Sequence, residues 1–272
     1  MELKDRVTVV TGGASGIGAA VCRRFAAEGA RGVVVADLDG AGAERVAAEF
    51  DGLGVATDVS DEAQVRRLIE QAERRFGPVD LFFSNAGIGA GVGSGDGTGG
   101  PFASNEDWQR SWDVNVMPHV YAARALLPAM LARGEGYLLS TASAAGLLVD
   151  IGGHAYSVTK HAAVGFAEWL AIAYGDRGIR VSVLCPQAVR TAMTDAGAAI
   201  GDAGVGAARA DGMIEPEDCA AAVVDGLARE SFLILPHADV LTYVRRKAED
   251  YDRWLVGMQR FQKRLGYVGA VP

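Results

Sequence analysis

The chain has 272 residues, 50% of them hydrophobic and 22% charged, so it is long enough to bury a full core and its composition excludes a disordered chain. The net charge of −8 disfavours a nucleic-acid partner, because neutralising phosphates requires a basic surface. Three widely spaced cysteines without a CxxC pair disfavour a disulfide framework and a structural zinc site. A charged N-terminus without an apolar segment, and no apolar run of about 18 residues, predict a cytoplasmic protein with no membrane partner.

Short β-branched runs alternate with longer helical segments along the chain. The predicted strands are 6–11, 32–36, 54–57, 80–84, 136–140, 179–184 and 232–235. The predicted helices are 16–28, 40–50, 60–76, 106–132 with an interruption at Pro118, 154–174 and 217–229. This alternation predicts a parallel sheet with helices on both faces. Segments 87–100 and 191–213 are predicted to be irregular loops, and a helical C-terminal extension is expected from about residue 237. That extension either packs back on a single domain covering 1–272 or reaches a neighbouring subunit.

A glycine-rich loop separates the first predicted strand from the first predicted helix. Gly12 can make the tight turn that leaves the strand, and Gly16 and Gly18 allow the backbone to approach a pyrophosphate closely. The N-terminus of the helix then offers free N–H groups and a partial positive charge to the anion. The strand–loop–helix context predicts a dinucleotide site, with an ordinary strand-to-helix turn as the alternative.

Asp37 ends the second predicted strand, about twenty residues after this loop. A carboxylate there can accept hydrogen bonds from both hydroxyls of an adenosine ribose, and it repels a 2′-phosphate. No basic residue is adjacent to it to receive that phosphate, and Ser15 in the loop is neutral. We therefore expect NAD rather than NADP, unless Asp37 is merely a solvated strand end.

A second constellation combines a phenol, an amine, a hydroxyl and an amide. Tyr156 and Lys160 are four residues apart and so lie on one face of a predicted helix. Ser143 lies thirteen residues before Tyr156, at the end of a strand, and Asn115 lies in the preceding helix. A Tyr-x-x-x-Lys pair alone is usually a surface pair, so the prediction depends on the whole set.

Together these motifs resemble the classical short-chain dehydrogenase/reductase family over residues 5 to 235. The matching positions are Thr11 to Gly18, Asp58-Val59, Asn85-Ala86-Gly87, Asn115, Ser143, Tyr156, Lys160 and Pro186 to Thr191. The resemblance implies a Rossmann-like, doubly wound parallel sheet of seven strands in the order 3-2-1-4-5-6-7. It also implies a nicotinamide cofactor and hydride transfer at a carbonyl or alcohol carbon.

The resemblance implies catalytic roles for the matching residues. Tyr156 would be the acid/base, and because a free phenol has a pKa of about 10, its pKa must fall by about three units to work near neutrality. The ammonium of Lys160 would favour the phenolate and bind the nicotinamide ribose. Ser143 would hold the substrate oxygen, and Asn115 would keep a water-linked proton path open beside Lys160.

The resemblance also implies a set of cofactor contacts, with Asp58 and Val59 near the adenine, and Val189 and Thr191 near the nicotinamide carboxamide. The full set is Gly12, Ser15, Gly16, Ile17, Gly18, Asp37, Leu38, Asp58, Val59, Asn85, Ala86, Gly87, Tyr156, Lys160, Pro186, Val189 and Thr191.

Two positions depart from the family pattern. Ser84 replaces the first Asn of the usual Asn-Asn-Ala-Gly, which should cost one side-chain hydrogen bond. Gln187 replaces the Gly of the usual Pro-Gly and is expected to narrow or polarise the substrate pocket, unless its side chain points to solvent. The candidate substrate contacts are Ser143, Ala145, Leu147, Val149, Gln187 and Met193. Most are apolar, so a secondary alcohol or ketone with a hydrophobic body is the expected substrate.

The sequence therefore predicts an NAD-dependent oxidoreductase with no metal site. The resemblance implies a homotetramer or dimer formed through the helices that bear Asn115 and Tyr156, although their alanine-rich faces could equally pack within one subunit. An NADP-linked carbonyl reductase of the same fold is one alternative. A cofactor-binding sensor without turnover is the other.

Overall fold

The computed structural model describes residues 1–89, 100–199 and 212–266. Its centre is a seven-stranded, all-parallel sheet with the strand order β3-β2-β1-β4-β5-β6-β7, which confirms the predicted Rossmann-like fold. The strands are β1 Val7–Thr11, β2 Gly32–Asp37, β3 Leu53–Ala56, β4 Leu81–Ser84, β5 Gly136–Thr141, β6 Ile179–Leu184 and β7 Leu233–Ile234.

Helices connect these strands and cover both faces of the sheet. They are α1 Gly16–Ala27, α2 Gly40–Ala48, α3 Glu62–Phe76, α4 Asn105–Asn115, α5 Met117–Arg133, α6 His154–Tyr174, α7 Ala192–Ala199, α8 Pro216–Ala228, α9 Asp239–Glu249 and α10 Tyr251–Arg264. Short 3-10 turns lie at Gly100–Phe102, Ala144–Gly146 and Gly175–Arg177. Among the described residues, no helix combines the length and the apolar character needed to cross a bilayer.

The strands are apolar throughout because the sheet is buried on both faces. Along β1, Val9 belongs to the core cluster with Leu68 of α3 and Leu126 of α5. The next residue, Val10, belongs to the opposite cluster with Phe25 of α1. This alternation follows from the two-residue period of a strand and places one apolar layer under each set of helices.

The segment predicted as one interrupted helix over 106–132 is two helices, α4 and α5. Val116 separates them, with φ −121° and ψ −55°. Pro118 falls in the first turn of α5, where the missing N–H removes no helical hydrogen bond. The break leaves Asn115 as the last residue of α4, directed at the centre of the fold, where it is 1% exposed.

The prediction of an irregular loop over 191–213 is wrong in its first part, since α7 occupies Ala192–Ala199. The Thr191 side chain begins this helix by accepting a hydrogen bond from Thr194 N at 3.4 Å. Residues 200–211 of that loop, and 90–99 of the other predicted loop, lie outside the described residues. The last strand is shorter than its predicted span of 232–235, and its two residues pair with Val183 and Leu184 of β6.

Two helices, α9 and α10, follow the last strand. Asp250 ends α9 and begins α10, and its Oδ1 accepts a hydrogen bond from Arg253 N at 2.9 Å. The two helices pack on each other.

Candidate active site

The carboxyl ends of the central strands open into one cleft of about 1990 Å³. Residues at or just after the ends of five different strands line it, namely Gly12, Asp37, Asn85, Ser143 and Pro186. The strand order reverses between β1 and β4, and an open parallel sheet binds its ligands at such a switch point. The fold therefore supplies a ligand site at the point where the sequence motifs converge.

Two glycines at the junction of β1 and α1 lie where a side chain would not fit. A Cβ on Gly18 would lie 2.1 Å from the Gly12 carbonyl oxygen, and Gly12 has a φ of +66°. The Ser15 side chain caps none of the first-turn N–H groups of α1. Those donors face the cleft at the positive end of the helix, which fits the pyrophosphate of a dinucleotide.

Asp37 lies on the cleft wall and fixes the loop next to it. Its Oδ2 accepts a hydrogen bond from Ala14 N at 3.0 Å, and its Oδ1 accepts one from Asp39 N at 3.0 Å. Each oxygen keeps acceptor capacity for a further donor, such as a ribose hydroxyl. The neighbouring Leu38 is 77% exposed and also lines the cleft, as an apolar platform beside a ribose site.

Asn85 joins the ends of three strands. Its backbone N donates to Thr11 Oγ1 at 3.0 Å, and its Nδ2 donates to the Thr11 carbonyl at 3.0 Å. Its Oδ1 accepts a hydrogen bond from Thr141 Oγ1 at 2.9 Å. Ser84, the departure from the family pattern, is buried next to these hydrogen bonds. The side-chain amide in them belongs to Asn85.

Tyr156, Lys160 and Ser143 meet in the cleft. Lys160 is 3% exposed, its Nζ donates to the Thr141 carbonyl at 3.0 Å, and the same atom lies 5.5 Å from the centroid of the Tyr156 ring. Burial lowers the pKa of Lys160 to about 8. Ser143 Oγ accepts a hydrogen bond from Ala145 N at 3.1 Å, which orients the hydroxyl. The set can move a proton at a substrate oxygen.

Asn115 lies behind this set rather than on the cleft wall. Its Oδ1 accepts a hydrogen bond from Ile88 N at 2.9 Å, and its Nδ2 donates to the Ile88 carbonyl at 3.1 Å. The same Nδ2 donates to Thr159 Oγ1 at 3.2 Å. These hydrogen bonds connect the segment after β4 to α6 next to Lys160.

The predicted cofactor residues all line the cleft, and so do Ala145, Val149, Gln187 and Met193 from the substrate set. Leu147 does not, because its side chain packs against the core, and the cleft is lined instead by Leu148. The 3-10 turn Ala144–Gly146 changes the period of the segment and so decides which leucine faces the cleft. Gln187 lies on the wall, with its backbone N donating to His237 Nδ1 at 3.2 Å.

Sequence reasoning missed the contribution of the C-terminal helices to this cleft. These helices contribute the aromatic and apolar side chains of Tyr243, Trp254, Met258 and Phe261 to its lining. They also contribute Arg246, Glu249, Asp250, Arg253 and Gly257. Trp254, Met258 and Phe261 of α10 follow an i, i+4, i+7 spacing, which marks one face of a helix. The spacing in the sequence predicts an apolar helix face, but it does not show what that face contacts.

His119 is a buried titratable group near Lys160 that the motifs did not indicate. It is 5% exposed, and burial, followed by the charge of Lys160, lowers its pKa to about 3. Since the unfolded chain takes up this proton near pH 6.5 and the folded chain does not, acid favours unfolding.

We expect this histidine to make the protein acid-labile between pH 6.5 and pH 3. From pH 6.5 to pH 5 it should remove about 2 kcal/mol of the free energy of unfolding. A His119→Leu variant should lose correspondingly less over the same interval, measured by urea unfolding at both pH values. Equal losses in the two proteins would contradict the depressed pKa.

Comparison with known proteins defines the family. Residues 6–199 match the family model described as short chain dehydrogenase, and the chain belongs to this family. It is 36% identical over 258 residues to 1-deoxy-11-beta-hydroxypentalenate dehydrogenase of Streptomyces exfoliatus, covering 92% of this chain and 90% of that protein. Meso-2,3-butanediol dehydrogenase of Serratia marcescens is 33% identical over 198 residues, or 72% of this chain and 76% of that protein.

Solved structures share the fold as well. A short chain dehydrogenase/reductase from Burkholderia phymatum in complex with NAD superposes with a TM-score of 0.81 at 31% identity, covering 100% of this chain and 99% of that chain. The 3-ketoacyl-(acyl-carrier-protein) reductase from Brucella melitensis complexed with NADH gives a TM-score of 0.74 at 31% identity, covering 86% and 96% of the two chains.

Proposed function

We propose that the protein is an NAD-dependent oxidoreductase that interconverts a secondary alcohol and its ketone. The observation that carries the proposal is that Tyr156, Lys160 and Ser143 lie in the same cleft as the glycine loop of α1. The relatives named above are dehydrogenases, and the two similar structures hold NAD and NADH, which supports both the reaction and the cofactor.

The residues divide the chemistry between them. When bound, the nicotinamide would accept a hydride from the alcohol carbon during oxidation. Tyr156 would take the hydroxyl proton as a phenolate, and the buried ammonium of Lys160, 5.5 Å from its ring, would stabilise that anion. Ser143 would hold the same substrate oxygen by donating a hydrogen bond from Oγ. Gln187, on the wall of the cleft, would shape the pocket next to the reacting carbon.

The cofactor would extend from the glycine loop to Lys160. The open N–H groups of α1 would hold the pyrophosphate, Asp37 the adenosine ribose, and Asp58 and Val59 the adenine end. Lys160 would bind the nicotinamide ribose, and Val189 and Thr191 would lie at the carboxamide. Asn115 would support the proton path behind Lys160.

The direct test follows the absorbance of the reduced cofactor at mildly alkaline pH, with NAD and a panel of secondary alcohols. We expect turnover with at least one alcohol that has an apolar body. Binding of NAD without turnover across the panel would favour a cofactor-binding sensor, and absence of NAD binding would contradict the phosphate-loop assignment.

A substitution at Asp37 tests the choice between NAD and NADP. Asp37→Asn keeps the size of the side chain and removes its charge, so we expect NAD to bind about tenfold more weakly and NADP more tightly, by fluorescence titration. Asp39→Asn is the matched control, because Asp39 caps α2 through Gly42 N at 3.0 Å and does not line the cleft. Preference of the unmodified protein for NADP would contradict this role of Asp37.

We further propose that the chain forms one cytoplasmic domain that assembles into a homo-oligomer, a dimer or a tetramer, through α6. An outward stripe of this helix is apolar and exposed, with Val158 at 48%, Trp169 at 55% and Ile172 at 84%. The alanines Ala163 and Ala167 of the same helix pack inside the subunit, so the stripe rather than the alanine face supports the proposal.

A further inference from the structure

The last helix, α10, has an apolar face that contacts the cleft rather than the core. None of its residues is buried, and Trp254, Met258 and Phe261 are half-buried along one face that lines the cleft. Leu255 and Val256, each 43% exposed, lie outside the cleft lining on the same helix. The helix therefore presents a row of three large apolar side chains to the cleft, beside Asp250, Arg253 and Gly257.

Lys247 of α9 holds this arrangement in place. It is 8% exposed, and its Nζ donates to the Leu147 carbonyl at 2.8 Å and to the Leu148 carbonyl at 3.4 Å. The same nitrogen lies 4.9 Å from the centroid of the Trp254 ring. A buried ammonium needs such partners, because its desolvation is otherwise costly. Lys247 thus joins α9 and α10 to the segment that follows Ser143.

Apolar side chains from two other segments line the cleft as well. Leu148, Val149 and Ile151 line it after the Ser143 turn, beside Asp150, and Met193 lines it from α7. The cleft volume of about 1990 Å³ is roughly twice the upper end of the range for one drug-sized ligand. The cleft therefore has room for a large substrate beside a cofactor.

We infer that α10 is a wall of the substrate site that selects a secondary alcohol or ketone on a bulky apolar skeleton of polycyclic size. Trp254, Met258 and Phe261 determine this specificity by covering the skeleton, and Lys247 is the positioning residue that sets their distance from Ser143. The inference rests on the proposed oxidoreductase function and names the substrate class of that same site.

Selectivity for size tests the inference. The full-length protein is assayed with NAD and four alcohols of rising apolar bulk: 2-butanol, cyclohexanol, a decalol and a hydroxysteroid. We expect Trp254→Ala and Phe261→Ala to lower kcat/KM for the two bulkiest alcohols about 10- to 100-fold, because a large apolar contact is lost. For 2-butanol the change should stay within about twofold, since a small substrate does not reach α10. The matched controls, Leu255→Ala and Val256→Ala, should leave all four values unchanged.

The positioning role of Lys247 has its own readout. Lys247→Met should raise KM for the bulky alcohols about tenfold with kcat unchanged, and Lys247→Arg should restore part of the affinity, because it keeps a donor to the carbonyls. Arg245→Met, at an exposed position of the same helix, is the control.

The other outcomes overturn the inference in distinguishable ways. An equal loss for alcohols of every size would show a structural role for α10. A change in the mass of the assembly by light scattering, with selectivity unchanged, would show that the face is a subunit contact. If the enzyme turns over small alcohols but the α10 variants have the same kcat/KM values as their controls, the inference is overturned and the proposed function stands. Absence of turnover with all four alcohols and with the wider panel would overturn the proposed function, and this inference with it.

Discussion

Replacing Tyr156 with phenylalanine is expected to lower kcat by about three orders of magnitude, because the substitution removes the group that we propose exchanges the substrate proton. The ring and its position 5.5 Å from Lys160 Nζ remain, so the cleft keeps its shape. NAD binding, followed by fluorescence titration, should therefore change by no more than about threefold. A loss confined to turnover would separate the chemical step from cofactor binding.

The matched control is Tyr137→Phe. The Tyr137 hydroxyl is buried in β5, 2.6 Å from Ser182 Oγ, and it does not line the cleft. Removing it should cost about 1 kcal/mol of the free energy of unfolding and leave kcat within about twofold. If Tyr156→Phe kept more than a tenth of kcat, another group would have to be the acid/base.

Replacing Lys160 with methionine is expected to lower kcat by about two to three orders of magnitude and to stabilise the fold at pH 7. Activity falls because no cation then favours the Tyr156 phenolate. Stability rises because burial disfavours the charged amine in the folded protein, where its pKa is about 8. The variant should therefore have a lower kcat and a higher free energy of unfolding than the wild type.

The sign of the stability change follows from the two pKa values. Between pH 8 and pH 10.5 the unfolded chain binds a proton at Lys160 that the folded chain has released, so wild-type stability rises with pH in this window. Below pH 8 the free energy of unfolding of the wild type is about 3 kcal/mol lower than it would be without the buried charge, and Lys160→Met removes this cost. The variant also loses the hydrogen bond to the Thr141 carbonyl, which offsets about 1 kcal/mol of that stabilisation.

Urea unfolding at pH 7 should therefore find Lys160→Met more stable by about 2 kcal/mol, with no rise between pH 8 and pH 10.5 from this position. Lys4→Met, at an exposed lysine before β1, is the control for both measurements. A variant that is less stable than the wild type at pH 7 would show that the ammonium contributes to folding.

Local rules were sufficient for the parts of the molecule whose side-chain periods are unambiguous. The β-branched runs of β1 and β2, buried on both faces, could be recognised because a parallel sheet needs apolar residues at every position. The loop from Gly12 to Gly18 could be recognised because only glycine fits where a Cβ would lie 2.1 Å from a carbonyl oxygen. The four-residue spacing of Tyr156 and Lys160 placed them on one helical face.

Local rules failed where a short irregular segment resets the period. The 3-10 turn Ala144–Gly146 turns Leu147 into the core and Leu148 into the cleft, and adjacent leucines carry no local signal that separates them. The break at Val116 was one residue wide, so the sequence indicated an interruption near Pro118 but not two separate helices.

The sequence by itself determined the sheet, the dinucleotide loop and the identity of the chemical groups, because each depends on residues within a few positions of one another. Only the tertiary structure decided that Lys247 bonds to the Leu147 carbonyl 100 residues away, that His119 lies buried near Lys160, and that α10 lines the cleft. Those contacts join elements distant in the chain, and the packing of whole helices, rather than any local preference, brings them together.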